Sequence, residues 1–299
     1  MTAANLIGRK SLLGDLVTAC LARSVSELIS FEAGSKSGVD TEDLHHFRVA
    51  TRRLRSDLQI FHSVLDPSWA SNLRNELKWL GTEVGVVRDL DVLQAGLVNR
   101  LNMLCEADGA GANRLLTLLS KERSAARIQM LRALEGERYR TLVNTLQGAA
   151  THPVFSAETR PVTERQAARF LPSLVKKPWK KLRAAARSIT HDSTDEDLHA
   201  VRKLAKRCRY CADAAAMVCR PDAVHFARAI KEVQAVLGNY HDTVITELWL
   251  RRAAQSTPSI GLVAGLLIAG QRNERAALRR QFASVWGQAN RPSLRAWLS

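Results

Sequence analysis

The sequence predicts an all-α protein built as two related helical bundles, and three observations carry that expectation. Apolar residues recur at helical spacing through most of the 299 residues. No convincing period-two run marks a strand. A basic pattern also occurs twice, first as Asp43-Leu44-His45-His46-Phe47-Arg48-Val49-Ala50-Thr51-Arg52-Arg53-Leu54-Arg55. It returns as Asp197-Leu198-His199-Ala200-Val201-Arg202-Lys203-Leu204-Ala205-Lys206-Arg207-Cys208-Arg209, an offset of 154.

Read as a helix, the first copy separates into two stripes. Phe47, Ala50, Leu54, Leu58, Phe61 and Leu65 fall within roughly 80° of one another and form a core-facing arc. His45, Arg48, Arg52 and Arg55 form a ridge beside it, with Arg53 on the other flank. The second copy repeats both stripes: Val201, Leu204, Cys208, Ala212 and Ala215 on the arc, His199, Arg202, Lys206 and Arg209 on the ridge, with Lys203 and Arg207 alongside. A surface helix ordinarily mixes charge signs and gains from i,i+4 pairs. A row of like charges costs self-repulsion, so an anion is expected to lie on it. A second element follows each copy, Gly85-Val86-Val87-Arg88-Asp89 and Gly238-Asn239-Tyr240-His241-Asp242, and a lysine upstream repeats as Lys78 and Lys231. The chain is expected to be one domain over 1–299, with halves at 10–147 and 162–299.

With 46% hydrophobic residues the chain can bury a sizeable core. Lys and Arg number 44 against 29 Asp and Glu, a net charge of +15. That balance selects polyanionic partners: nucleic acid, an anionic surface or another polyanion. Aromatics are only 5%, which disfavours single-strand stacking. Five scattered cysteines and no secretory signal predict reduced thiols in the cytoplasm. Cys208-x-x-Cys211 lies inside the second basic helix without a second such pair, so core packing is expected over zinc. No apolar run reaches bilayer-spanning length, and no membrane partner is expected.

Element by element, Ser11 to Phe31 reads as a helix and Glu32 to Asp40 as a loop. Asp40 or Thr41 caps the basic helix, which ends near Asp66-Pro67. A shorter helix over 68–84 is expected to loosen at Gly81 and Gly85, and the Arg88-Asp89 element to open another running towards Cys105. A turn follows over 107–112, then helix over 113–147 broken near Gly136. The junction is Gly148 to Pro161. In the second half, Arg165 to Ser188 is helical with interruptions near Pro172 and Pro178. Thr194 or Asp195 caps the second basic helix, and helices over 221–237, 241–255 and 259–286 complete the set.

The paired Leu-His-x-x-Arg-(x)3-[Arg/Lys]-Arg-x-Arg helices and the paired Gly-x-x-[Arg/His]-Asp elements resemble the CHAD family, the conserved-histidine α-helical domain, from about residue 10 to the end. The resemblance implies two pseudo-twofold-related helical bundles with a basic groove or pore between them. It further implies binding of inorganic polyphosphate and association with polyphosphate granules and their proteins. Many members carry a fused triphosphate-tunnel domain; none is read in this sequence, so no catalytic carboxylate tunnel is expected from the resemblance. The carry-over places polyphosphate on His45, Arg48, Arg52 and Arg55, on His199, Arg202, Lys206 and Arg209, and on Lys78, Arg88, Lys231 and His241. The flanking Arg53, Lys203 and Arg207 join the binding set.

The residues suit that ligand. A flexible row of phosphates needs dense cations, planar arginine forks and no base-stacking platform. Each ridge is roughly 15 Å long at 1.5 Å per residue, room for several phosphates. Histidine would add a donor that charges below about pH 6.5. Asp89 and Asp242, read as lying at helix starts, are expected to cap or to pair with the ridge. No glycine-rich phosphate loop, HExxH or nucleophile elbow is present, so a binding protein with no cofactor and no metal is expected over a phosphatase or kinase. Nucleic acid, the rival partner, is expected only as a non-specific competitor.

Overall fold

The computed structural model describes residues 7–102, 108–219 and 221–298. They form α1 (Leu13–Ser30), α2 (Glu32–Ser37), α3 (Thr41–Ile60), α4 (Pro67–Leu101), α5 (Gly109–Glu135), α6 (Glu137–Thr151), α7 (Arg160–Thr163), α8 (Ala167–Arg187), α9 (Asp195–Ala216), α10 (Asp222–Ser256) and α11 (Gly261–Ala289). Among the described residues no strand occurs, only isolated bridges between Leu12 and Gln166 and between Leu65 and Phe155. The expected all-α fold is what forms.

The two basic helices, α3 and α9, begin where their caps dictate. The Asp40 carboxylate accepts the Glu42 N–H at 2.8 Å, with Glu42 and Asp43 in the first turn beside the positive end of the helix. At α9 the Thr194 hydroxyl accepts the Asp197 N–H at 3.2 Å and the Asp197 carboxylate accepts the Thr194 N–H at 2.8 Å, a reciprocal capping box. Phe47, Ala50, Leu54, Leu58, Phe61 and Leu65 are all buried, as are Val201, Cys208, Ala212 and Ala215. Leu204 is half-buried.

Several expectations need correction. The segment read as a loop contains α2, because Arg127 donates to the Lys36 carbonyl at 2.6 Å and so satisfies a carbonyl that the helix end leaves open. Gly38 then ends α2 with φ +68°. The breaks at Gly81, Gly85 and Gly238 are absent: α4 and α10 are each one continuous helix of 35 residues. A helical glycine costs about 1 kcal/mol relative to alanine, while Leu77, Leu80, Val84 and Val87 are fully buried at about 1.5–3 kcal/mol each for the larger side chains. Burial wins, and it places Asp89 and Asp242 in mid-helix, where they cannot cap. The same balance carries α8 through Pro172 and Pro178, with Leu171, Val175, Trp179 and Leu182 buried on its inner face. The break at Gly136 is real; its backbone is extended between α5 and α6. Of the turn expected over 107–112, Gly109 to Ala112 instead open α5; Cys105 and Ala107 lie outside the described residues.

Neighbours repeat along the chain. α3 packs on α1 and α4, α9 packs on α8 and α10, and α5 and α11 pack on α4 and α10 respectively. Contacts between α3 and α9, α1 and α8, and α5 and α11 join the halves. One core holds Phe47, Leu54 and Leu80 together with Val201, Cys208 and Phe226. A second lies where Leu93, Leu97, Leu115 and Leu119 meet Trp249, Leu250, Val263 and Leu267. Both draw on both halves.

Among the described residues Gly38 is the one position whose backbone demands glycine, since φ there is positive and a Cβ would overlap the Arg127 guanidinium. Gly38→Ala is expected to lower stability by about 1–2 kcal/mol. Gly148→Ala, in a helix with open space around it, is expected to raise it by about 0.5–1 kcal/mol. Urea unfolding midpoints measure both, and an equal response of the two would refute the assignment.

Candidate anion-binding site

The caps set the phase of α3 and α9, and the buried arcs then turn their basic ridges to one another. Arg48 and Arg52 of α3 lie beside Arg202 and Lys206 of α9, close enough that each pair repels the other's charge. Asp89 of α4 and Asp242 of α10 are the carboxylates facing them. Only one contact among these is a firm ion pair: the Arg48 guanidinium donates to both Asp89 oxygens, at 2.7 and 3.2 Å. The Nε groups of Arg52 and Arg202 are buried and lack a hydrogen-bond partner. An unsatisfied buried donor costs about 1–3 kcal/mol, so the seam holds unused capacity for an acceptor.

The electrostatics follow from this crowding. Burial, with Arg202, Arg52 and Arg48 adding repulsion, pushes the Lys206 ammonium down to about 7, against the opposing pull of Asp242. Burial likewise holds Arg52 and Arg202 below the usual guanidinium range. The histidines do not behave as expected. Burial and neighbouring cations lower His45 and His199 and bring His241 down to about 4. His199 and His241 approach Nδ1 to Nδ1 at 3.3 Å, so one neutral ring donates and the other accepts. Within the seam, the group brought near neutrality is Lys206, because the burial and neighbouring cations that take a histidine out of that range bring a lysine into it.

The other sequence-predicted residues divide. Arg88 lies 3.6 Å from Glu42 and repels His45, at the N-terminal end of the α3 ridge. Lys203 is exposed beside His199, and Arg55 and Arg207 are exposed beside Arg74. Arg53 and Arg209 are drawn into ion pairs with Asp213, at 3.8 and 3.4 Å, and are charge-compensated. Lys78 and Lys231 are exposed and make no side-chain hydrogen bond or ion pair among the described residues. Repeat matching missed Arg74 and Asp213, neither of which has a like counterpart in the other half: Ala227 and Gln59 stand there. The available signal was helical spacing, which puts Arg74 one turn before Lys78.

Cys208 and Cys211 are buried, and burial raises both thiols, Cys211 to about 12. They pack as small apolar groups. Among the described residues no group of three or more His, Cys, Asp or Glu is arranged to hold a metal ion, and no helix is long and apolar enough to cross a membrane.

Two uncharacterized proteins of Mycobacterium tuberculosis, from strains CDC 1551 and H37Rv, are each 28% identical over 256 residues, which is 83% of this chain and 47% of each relative. The chain thus spans about half the length of the curated relatives it matches. Among solved structures, PptA from Streptomyces chartreusis matches with a TM-score of 0.74 at 22% identity, over 93% of this chain and 100% of that one. At that identity the likeness is of fold. The CHAD domain from the plant Ricinus communis matches with a TM-score of 0.72 at 29% identity, over 99% of this chain and 94% of that one. The family model of the CHAD domain matches residues 19–251, which takes in both basic helices, the whole of α4 and all but the last turn of α10: the chain belongs to the CHAD domain family.

Proposed function

We propose that this protein is a binding module for inorganic polyphosphate, held between the α3 and α9 ridges and bound without turnover. The observation that carries the reading is the meeting of Arg48, Arg52, Arg202 and Lys206 from two helices in a half-buried seam with too little carboxylate to neutralise them. A linear polyanion entering the seam relieves the repulsion, supplies acceptors to the orphaned Nε groups and releases counterions. Nucleic acid is the weaker fit. Tyr210 is the aromatic side chain beside Arg52 and Arg209, whereas single-strand binders interleave several aromatic platforms with their cations. In the cell the module is expected in the cytoplasm on polyphosphate granules, a placement that fluorescence co-localisation with a polyphosphate stain would test.

The ridges are tested by titrating long-chain polyphosphate at several salt concentrations, with duplex DNA as competitor. Changing Arg48, Arg52, Arg202 and Lys206 together to neutral residues is expected to reduce the slope of log K against log salt by roughly 3, at about 0.7 per neutralised phosphate of a single-stranded polyanion. Polyphosphate is expected to displace DNA at matched charge. An unchanged slope would reduce the ridges to surface charge. Phosphate release, with or without divalent metal, would contradict binding without turnover.

The sign of the pH dependence follows from Lys206. Free protein holds this lysine about half-charged at pH 7, facing Arg202, Arg52, Arg48 and Asp242. A bound polyanion stabilises the charged form, so binding takes up a proton. Affinity is therefore expected to rise as pH falls from 8 to 6, by at most about tenfold per unit above pH 7 for one linked proton. Lys206→Arg, charged throughout, is expected to flatten that rise while keeping tight binding. If the rise persists in Lys206→Arg and disappears in His199→Gln, the histidines are the titrating groups.

A further inference from the structure

The two ends of the ridge system are not equivalent, and the difference points to a second kind of site. At the repeat offset of 154, Arg55 corresponds to Arg209 and Arg53 to Arg207, and at the offset of 153 that aligns Lys78 with Lys231 and Gly85 with Gly238, Arg74 corresponds to Ala227. Around Arg209 the positive charge is matched within the protein. Asp213 lies 3.4 Å from Arg209 and 3.8 Å from Arg53, Glu27 lies 3.5 Å from Arg53, and the Gln234 carbonyl accepts from Arg209 at 3.3 Å. The carboxylate of Asp213 thus occupies a fork formed by one arginine of α3 and one of α9.

Around Arg55 the corresponding residues are changed in the opposite sense. Gln59 stands in the place of Asp213, so the internal anion is missing. Arg74 stands in the place of Ala227, so a further cation is added. Arg55 from α3 and Arg207 from α9 both lie beside Arg74 from α4 and repel it. The Nε of Arg74 is buried and has no hydrogen-bond partner. None of the three has a carboxylate within ion-pair distance among the described residues.

We propose that Arg55, Arg74 and Arg207 form an oxyanion station for a terminal phosphate group, present at this end of the ridges and replaced by Asp213 at the other. Asp213 shows the kind of anion that such a fork of guanidiniums accepts. A terminal phosphate suits three of them better than an internal one. It has three unbridged oxygens against two, and a second ionisation near pH 6, by analogy with phosphate monoesters, brings it close to two negative charges. The station for chain ends rests on the polyphosphate reading of the ridges; a free orthophosphate ion presents the same chemistry.

Calorimetric titration with linear tripolyphosphate, cyclic trimetaphosphate and orthophosphate separates these cases, because the ring has no terminal group. Arg74→Ala is expected to weaken linear tripolyphosphate about tenfold and to leave the ring unchanged. Gln59→Asp, which restores the internal carboxylate, is expected to do the same without lowering the melting temperature, a control against loss of folding. Orthophosphate that competes with the chain in the parent but not in Arg74→Ala would make free phosphate a second occupant of the station. Unchanged affinity for the chain in both variants, or equal losses for chain and ring, would overturn the station and leave the ridges standing. A parent protein that binds neither compound would overturn the ridge reading, and the chain-end station with it.

Discussion

The structure depends on holding like charges together across the seam between α3 and α9. Four cations from two helices face one another there, and the depression of Lys206 to about 7 measures how unfavourable the full charge is. At about 1.4 kcal/mol per decade of acidity, the charged form of this group is on the order of a few kcal/mol less favourable here than in water, a penalty reduced by water at its exposed edge. The opposing term lies on the other face of the same helices. Phe47, Leu54 and Leu58 are fully buried on α3, and three such side chains contribute about 5–9 kcal/mol as an upper bound. The packed face holds the repelling face in position, so the seam stays charged without collapsing.

That balance explains why α4 and α10 are long and unbroken. Each places its N-terminal half against the basic helix of its own half, and its C-terminal half in the second core, where Leu93 and Leu97 meet Leu250 and Val263. Trp249 donates to Glu122 at 3.0 Å across the same junction. With hydrophobic contacts between halves behind the seam as well as beneath it, charge repulsion cannot push α3 and α9 apart without opening both cores. A break after Gly85 would uncouple Asp89, and with it Arg48, from that brace.

Much of this was legible in the residues. The buried arcs, both helix caps, the Gly136 break and the pairing of the ridges all follow from periodicity and repetition. What could not be read was set by tertiary burial. Glycines at 81, 85 and 238 look like breakers until the apolar stripe of the whole helix is seen to be buried. Histidines 45, 199 and 241 look like neutral-pH switches until their cationic neighbours are placed. The repeat was also a misleading guide in one respect, because matching the halves draws attention to what they share. Arg74 and Asp213 went unseen because each stands opposite an unlike residue, although that difference is what makes the two ends chemically distinct.

The asymmetry also bears on how an anion would sit in the seam. If both ends carried an internal carboxylate, a phosphate chain would meet repulsion on either side and bind through its middle alone. If neither did, the chain could slide, since successive internal phosphates present the same charge to the same ridge. One compensated end and one open end give the site a direction: Asp213 repels phosphate where it already offsets the charge of Arg53 and Arg209, while Arg55, Arg74 and Arg207 leave their charge unmatched. A chain whose terminus carries more charge than its interior is then held in one register. On the chain-end proposal, preference for chains with ends, as distinct from mere attraction to phosphate, would follow from Gln59 and Arg74 standing where the other half has Asp213 and Ala227.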